Sequence, residues 1–297
     1  MEYHIPVMLK EVLNYLSLGP GKVIVDATIG TGGHSQAILE KILPAGRLIA
    51  IDRDQESLAI SRQRLKDFGA SCVFTHGNFA DMDIILENLN IKEVDGILFD
   101  LGISSYQLQD AQRGFSFRNE GPLDMRMDRK SYICAFDLLN NLTEEEISTM
   151  LWNFGEERWH NRIAHHLIRE RQSQPISTTT ELADIVARSI PPRYRHRHYR
   201  IHPATRTFQA VRIAVNRELE ALETAINKAI TLLSKDARLC IISFHSLEDR
   251  VAKFSFRRAF AEGLIKIITP KPLTPAQAEV EANPSSRSSK LRVAQRI

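Results

Sequence analysis

Three cysteines in 297 residues, Cys72, Cys134 and Cys240, are too few and too scattered for a disulfide framework, and none stands in Cys-x-x-Cys spacing. They are expected to be small buried residues of a protein kept in a reducing compartment. No apolar run approaches the roughly 20 residues that cross a bilayer. The opening Met-Glu-Tyr-His-Ile-Pro lacks a basic region leading into an apolar stretch. Neither a membrane span nor a secretory signal is expected, and the expected location is cytoplasmic. Strong charge of either sign is also missing, since 39 Lys and Arg against 36 Asp and Glu leave +3. That total neither requires nor excludes a nucleic-acid partner, so local clustering decides. Internal repeats are absent. What remains, 43% hydrophobic and 25% charged residues, fits one large globular domain, or a main domain carrying a smaller one.

The first hundred residues alternate short apolar runs with helix-compatible stretches. Strands are expected at Val23–Asp26, Leu48–Asp52, Cys72–Thr75 and Gly96–Asp100, with helices at Ser35–Ile42, Glu56–Phe68 and Met82–Leu89 between them. Continuous apolar runs separated by helices point to a parallel sheet buried on both faces, a doubly wound α/β fold. From about Ser105 to His202 no strand pattern occurs. Thr143-x-x-Glu146 and Thr178-x-x-Glu181 match capping boxes, and Glu156–Arg171 reads as another helix. An all-helical insertion follows, with domain boundaries at 1–104, 105–205 and 206–297. The second part of the sheet domain opens on a long helix, Thr207–Leu233. A strand at Ala237–Phe244, a helix at Leu247–Phe260, a β-like Leu264–Thr269 and a last strand at Leu291–Val293 complete it.

The sequence Asp26-Ala-Thr-Ile-Gly30-Thr-Gly32-Gly33-His34 lies between the first strand and the first helix of this series. Glycine lets backbone approach a ligand where a Cβ would collide, and a helix start offers N–H donors. Asp52 ends the next strand, about 20 residues on, where a carboxylate accepts from both hydroxyls of a ribose. Two nucleotide cofactors compete for this turn. A dinucleotide would bring a pyrophosphate beside Asp26, and the repulsion at short range in a partly dry site is on the order of a kcal/mol or more. S-adenosylmethionine carries a sulfonium and an amine, both positive, for which an acid is an asset. The carboxylates therefore favour S-adenosylmethionine over NAD. A tight turn without ligand is the plainer alternative, and the register of Asp52 speaks against it.

Phe79, just past the third strand, is expected either to cover an adenine or to be plain core. Asp100 ends the fourth strand, which should neighbour the first at the switch point of the sheet, where reacting atoms meet. It either accepts a hydrogen bond from substrate or cofactor, or caps the following loop. His34 is expected to contribute its backbone N–H more than its ring. No metal is expected, because His160, His165 and His166 lack acidic partners at ligand spacing. Eight arginines, at 188, 193, 195, 197, 200, 206, 212 and 217, fall in a stretch without one acid, interleaved with Tyr194, Tyr199, His196, His198 and His202. Guanidiniums beside stacking rings suit RNA. Arg287, Lys290, Arg292 and Arg296 form a second basic group.

Several longer motifs add a resemblance. His4-Ile-Pro-Val-Met-Leu, Asp26 to Ser35, Asp100-Leu-Gly-Ile-Ser-Ser105, Arg113-Gly-Phe-Ser-Phe117 with Gly121-Pro-Leu-Asp-Met-Arg-Met-Asp128, His202 to Arg212, Ser243-Phe-His-Ser-Leu-Glu-Asp249 and Ser288-Ser-Lys-Leu-Arg292 are similar to the RsmH/MraW family of bacterial 16S rRNA (cytosine-N4)-methyltransferases. The resemblance covers nearly the whole chain in order. It implies a class I methyltransferase sheet with a helical insertion, acting on 16S rRNA in the 30S subunit, with a homodimer left open. By motif it implies cofactor contacts at Gly32, Gly33, His34, Asp52, Phe79, Asp100 and Gln107. Thr28 departs from the broader methyltransferase pattern, which has its first glycine there. Asp100 is the candidate catalytic acceptor for the cytosine amine, and Phe115 or Phe117 either stacks on an extracted base or anchors its loop. The competing functions are a methyltransferase for a small molecule or protein, a noncatalytic RNA-binding protein with a relic cofactor fold, and an NAD oxidoreductase.

Overall fold

The computed structural model describes residues 5–192 and 202–297. In chain order the elements are α1 (Leu9–Tyr15), β1 (Val23–Asp26), α2 (Gly33–Ile42), β2 (Arg47–Asp52), α3 (Gln55–Arg64), β3 (Cys72–His76), α4 (Met82–Asn88) and β4 (Val94–Asp100). Helices α5 (Ser105–Gln109), α6 (Ala135–Asn141), α7 (Glu144–Gly155), α8 (His160–Arg171), α9 (Thr179–Ser189) and α10 (Thr205–Asn216) follow. The chain ends with α11 (Glu218–Leu232), β5 (Leu233–Ser243), α12 (Ser246–Ala261), β6 (Ile265–Ile267), α13 (Gln277–Ala282) and β7 (Lys290–Arg296). It divides into two compact units, Met1–Ser104 with Leu219–Ile297, and Ser105–Glu218.

The first unit is the doubly wound α/β sheet expected from the sequence. Its strand order is β3-β2-β1-β4-β5-β7-β6. Strands β1 to β5 pair in parallel, and β7 runs antiparallel to both β5 and β6. Because strand side chains alternate, each strand feeds two cores. Val25, Ile49, Ile97, Phe99, Leu239 and Ile241 pack on one side with Leu222, Ile226 and Phe256 of α11 and α12. Ile24, Leu48, Leu98, Cys240 and Ile242 pack on the other with Val12, Leu16, Ile38, Leu39 and Ile42 of α1 and α2. Each such fully buried aliphatic side chain stabilises the fold by about 1.5–3 kcal/mol. The chain winds outward from β1 to β3, then returns to place β4 beside β1. That reversal makes the carboxyl ends of β1 and β4 the topological switch point, the place where doubly wound sheets bind their ligands.

Two cysteines, Cys72 and Cys240, are buried as expected, and burial pushes both thiols up to about 12. Cys134 is only half-buried. Strand β5 starts earlier than its apolar run, pairing from Leu233 with Val94 and shifting register before Arg238, near the left-handed Asp236. Among the described residues no helix is long and apolar enough to cross a membrane.

The second unit is helical among its described residues, with Ile147, Leu151, Ile163, Leu167, Leu182, Val186, Phe208 and Val211 in its core. Both capping boxes form: Thr143 Oγ1 accepts from Glu146 N at 3.3 Å, and Thr178 Oγ1 from Glu181 N at 3.2 Å. The helix expected from Glu156 begins instead at His160. Glu156 ends α7 in the left-handed region, and the Glu157 carboxylate accepts from Trp159 N at 2.8 Å. The long helix expected over Thr207–Leu233 is two helices, broken at the left-handed Arg217 (φ 50°). Asn216 enforces the break. Its Oδ1 accepts from Met127 N at 2.8 Å, and its Nδ2 donates to Met125 O at 2.8 Å. Helix α10 stays with α7, through Arg206 to Glu156 O and Gln209 to Phe154 O, so this unit runs to Glu218 rather than ending at 205.

Candidate active site at the carboxyl ends of the strands

The turn after β1 is tied at both ends. Asp26 is 1% exposed. Its Oδ2 accepts from Ser35 Oγ at 2.6 Å and its Oδ1 from Thr28 N at 3.2 Å, buckling the turn to the first turn of α2. Burial raises its pKa from 3.8 to about 6 against the opposing pull of those two bonds. Thr28 has its own task, because its hydroxyl accepts from Asp100 N at 2.6 Å and joins the turn to the end of β4. The departure from glycine at this position thus carries a strand-to-strand bond. Gly32 caps α2 at φ 79°, in the left-handed region where a side chain is strained. Gly33 lies under Pro6, and a Cβ there would stand 2.8 Å from Pro6 Cγ.

Asp52 closes β2 beside the same turn. Its Oδ2 accepts from Gly30 N and its Oδ1 from Asp54 N, both at 2.9 Å. Burial raises its pKa to about 6, opposed by these bonds and assisted by the charges of Asp54 and Asp26. Phe79 follows β3 and is half-buried, set edge-on against Phe99 with centroids 5.5 Å apart.

Asp100 completes the group. Its Oδ2 lies 3.4 Å from His34 Nδ1, and the His34 ring, 5% exposed, sits 2.9 Å from Val7 O through Nε2. Among the described residues, Asp100 Oδ1 is buried with no hydrogen-bond partner. Burial, then the charges of Asp26 and Glu248, hold the Asp100 carboxyl well above the usual carboxylate range. Glu248 belongs to the Ser243–Asp249 motif, where its Oε2 accepts from Phe244 N at 2.8 Å and caps α12. Nothing in the spacing of the sequence marks Val7, Thr28 or Glu248 as members of this site. Their only signal is that all three fall in the motifs carrying the family resemblance.

The first unit therefore brings Gly32, Gly33, His34, Asp52, Phe79 and Asp100 to the carboxyl-end side of one sheet. Gln107 belongs to the second unit, on α5, and is 5% exposed. Among the described residues no group of three or more His, Cys, Asp or Glu converges as a metal would need.

The basic segment is described only at its ends. Arg193, Tyr194, Arg195, His196, Arg197, His198, Tyr199 and Arg200 lie outside the described residues, as does His4. Arg212 proves to be an internal residue, its guanidinium forked onto Glu218 at 2.9 and 3.0 Å. Arg188 lies 3.7 Å from Glu170 on an exposed face. The second basic group is also smaller than its composition suggests. Arg292 is 7% exposed and bonds Asp249 at 2.6 Å, and Arg296 donates to Leu264 O. Phe115 is buried, with the Arg113 guanidinium 5.7 Å from its ring, and so anchors its loop. Phe117 stacks on His202 at 4.5 Å and meets Phe208 at 4.9 Å.

Sheet and turn together define a doubly wound protein whose switch point is bordered by carboxyl groups. Residues 1–297 match the MraW methylase family, and the chain belongs to that family. Among curated relatives, "Ribosomal RNA small subunit methyltransferase H" of Clostridium botulinum (strain 657 / Type Ba4) is 44% identical, covering 100% of both chains. The protein of that name from Sulfurihydrogenibium sp. (strain YO3AOP1) is 46% identical, again over 100% of both. That from Halothermothrix orenii is 46% identical over 99% of this chain and 98% of its own.

Proposed function

We propose that this chain transfers a methyl group from S-adenosylmethionine to N4 of a cytidine in the decoding region of 16S rRNA, within the 30S subunit. The observation that carries the reading is Asp100 Oδ1, a buried acceptor without a partner among the described residues, at the switch point of the sheet. The switch point fits the donor by charge. Asp26, Asp52 and Asp100 are ionisable groups whose charge the site itself disfavours, so a cationic ligand is the natural complement. When bound, S-adenosylmethionine supplies a methyl activated by its sulfonium charge.

The chain's own residues have the task of alignment and charge placement. The exocyclic amine of cytosine is a poor nucleophile because its lone pair is delocalised into the ring. Asp100 Oδ1, by accepting one amine hydrogen, helps pyramidalise the nitrogen and aims its pair at the methyl. The amine proton that methylation makes surplus would pass to Asp100. Asp52 takes the ribose hydroxyls. The basic segment between Arg188 and Arg217 is the RNA-binding part. Incubating the chain with S-adenosylmethionine and either 30S particles or free 16S rRNA, followed by nucleoside mass analysis, tests the reading. N4-methylcytidine in the decoding region is expected, and methylation of another base or atom overturns the proposal.

A further inference from the structure

The His34 ring has a neighbour at each nitrogen, Val7 O at Nε2 and Asp100 Oδ2 at Nδ1. Val7 O can only accept, so the Nε2 atom 2.9 Å away carries hydrogen. In the neutral ring that leaves Nδ1 with a lone pair, 3.4 Å from Asp100 Oδ2. Two acceptors at that distance repel, so one proton lies between Nδ1 and Oδ2. With the proton on Nδ1, Asp100 is a carboxylate whose Oδ1 can take the surplus amine proton; with it on Oδ2, it moves to Nδ1 as Oδ1 takes the other. Oδ1 is the oxygen without a partner among the described residues. The opening segment serves this arrangement: Pro6 covers Gly33, and Val7 supplies the carbonyl that fixes the ring.

We infer that His34 is a positioning residue, parking a proton on the Oδ2 side of Asp100 so that Oδ1 accepts from the methyl-acceptor amine. The inference rests on the methyltransferase reading and adds to it a residue whose side chain need touch neither substrate nor cofactor. The charged groups facing Asp100 come from three elements: Asp26 from β1, Glu248 from α12 and His34 from α2. The first two oppose ionisation of Asp100. Without the imidazole the carboxyl keeps its proton to higher pH, and a proton on Oδ1 removes the acceptor.

The test is the pH dependence of kcat for methyl transfer to unmodified 30S particles, in the wild type, His34→Phe and His34→Asn. The acid limb of the His34→Phe profile is expected to move up by about one pH unit or more, with most of kcat recovered on the alkaline side. His34→Asn, which keeps a polar partner for Oδ2, is expected to lie between the two. A loss in His34→Phe by the same factor at every pH, or an unmoved limb, overturns the inference. Where His34→Phe does not fold, as judged by thermal stabilisation with S-adenosylhomocysteine, 15N NMR of the wild-type ring decides. Hydrogen on Nε2 throughout is expected, and a ring protonated on Nδ1 alone overturns the inference. A wild type inactive on 30S particles would instead sink the parent reading, so the two failures are distinguishable.

Discussion

Replacing Asp26 by asparagine separates the cost of a buried charge from the value of a tied turn. A pKa raised from 3.8 to about 6 means the folded chain resists ionising this carboxyl. At 1.36 kcal/mol per pH unit, the penalty is about 3 kcal/mol once both folded and unfolded states are ionised. It is absent below about pH 4, where both states are protonated, and grows as the pH rises through 6. Asparagine is isosteric. Its oxygen still accepts from Thr28 N, and Ser35 Oγ, which donates to Oδ2 at 2.6 Å, can turn to accept from the amide. The weakened bond costs about 1 kcal/mol. Urea unfolding of the free protein should therefore find Asp26→Asn less stable by about 1 kcal/mol near pH 4 and more stable by about 2 kcal/mol near pH 8. Asp52 and Asp100, which both feel the Asp26 charge, shift the balance in the same direction. A variant less stable by one fixed margin at every pH would mean that the buried Asp26 charge carries no penalty.

Asp100→Asn keeps an acceptor oxygen but loses the charge and the proton sink, so kcat at saturating cofactor should fall about 100-fold. Near-normal turnover would remove the carboxylate from the mechanism. Asn216→Leu deprives Met127 N and Met125 O of buried partners and should destabilise the chain by about 2–4 kcal/mol in denaturant unfolding. Arg292→Met leaves Asp249 without its best partner and should destabilise by about 3 kcal/mol, yet leave the salt dependence of RNA binding unchanged. A flatter salt slope in that variant would return Arg292 to the RNA surface.

The sheet was legible because its strands are continuous apolar runs divided by helices, a pattern set by burial on both faces. The turn was legible because Gly32, Gly33 and Asp52 have a spacing that chemistry constrains. The break at Arg217 was hidden, since the apolar pattern runs on through it. The cause is Asn216, which bonds residues 89 and 91 positions earlier. Charge runs misled for the same reason. Arg212 and Arg292 count as cations in a sequence, and only folding reveals that Glu218 and Asp249 take them up. The Val7 carbonyl is backbone, and no side-chain pattern encodes its meeting with His34.

In the proposed function, carboxyl groups whose ionisation the site disfavours hold a cationic methyl donor. Calorimetric titration with S-adenosylmethionine and with S-adenosylhomocysteine, which lacks the sulfonium charge, tests it between about pH 5 and pH 8. The affinity ratio should swing toward S-adenosylmethionine as the pH rises through about 6, where Asp26 and Asp52 would ionise. A ratio that stays flat over that range would contradict the claim.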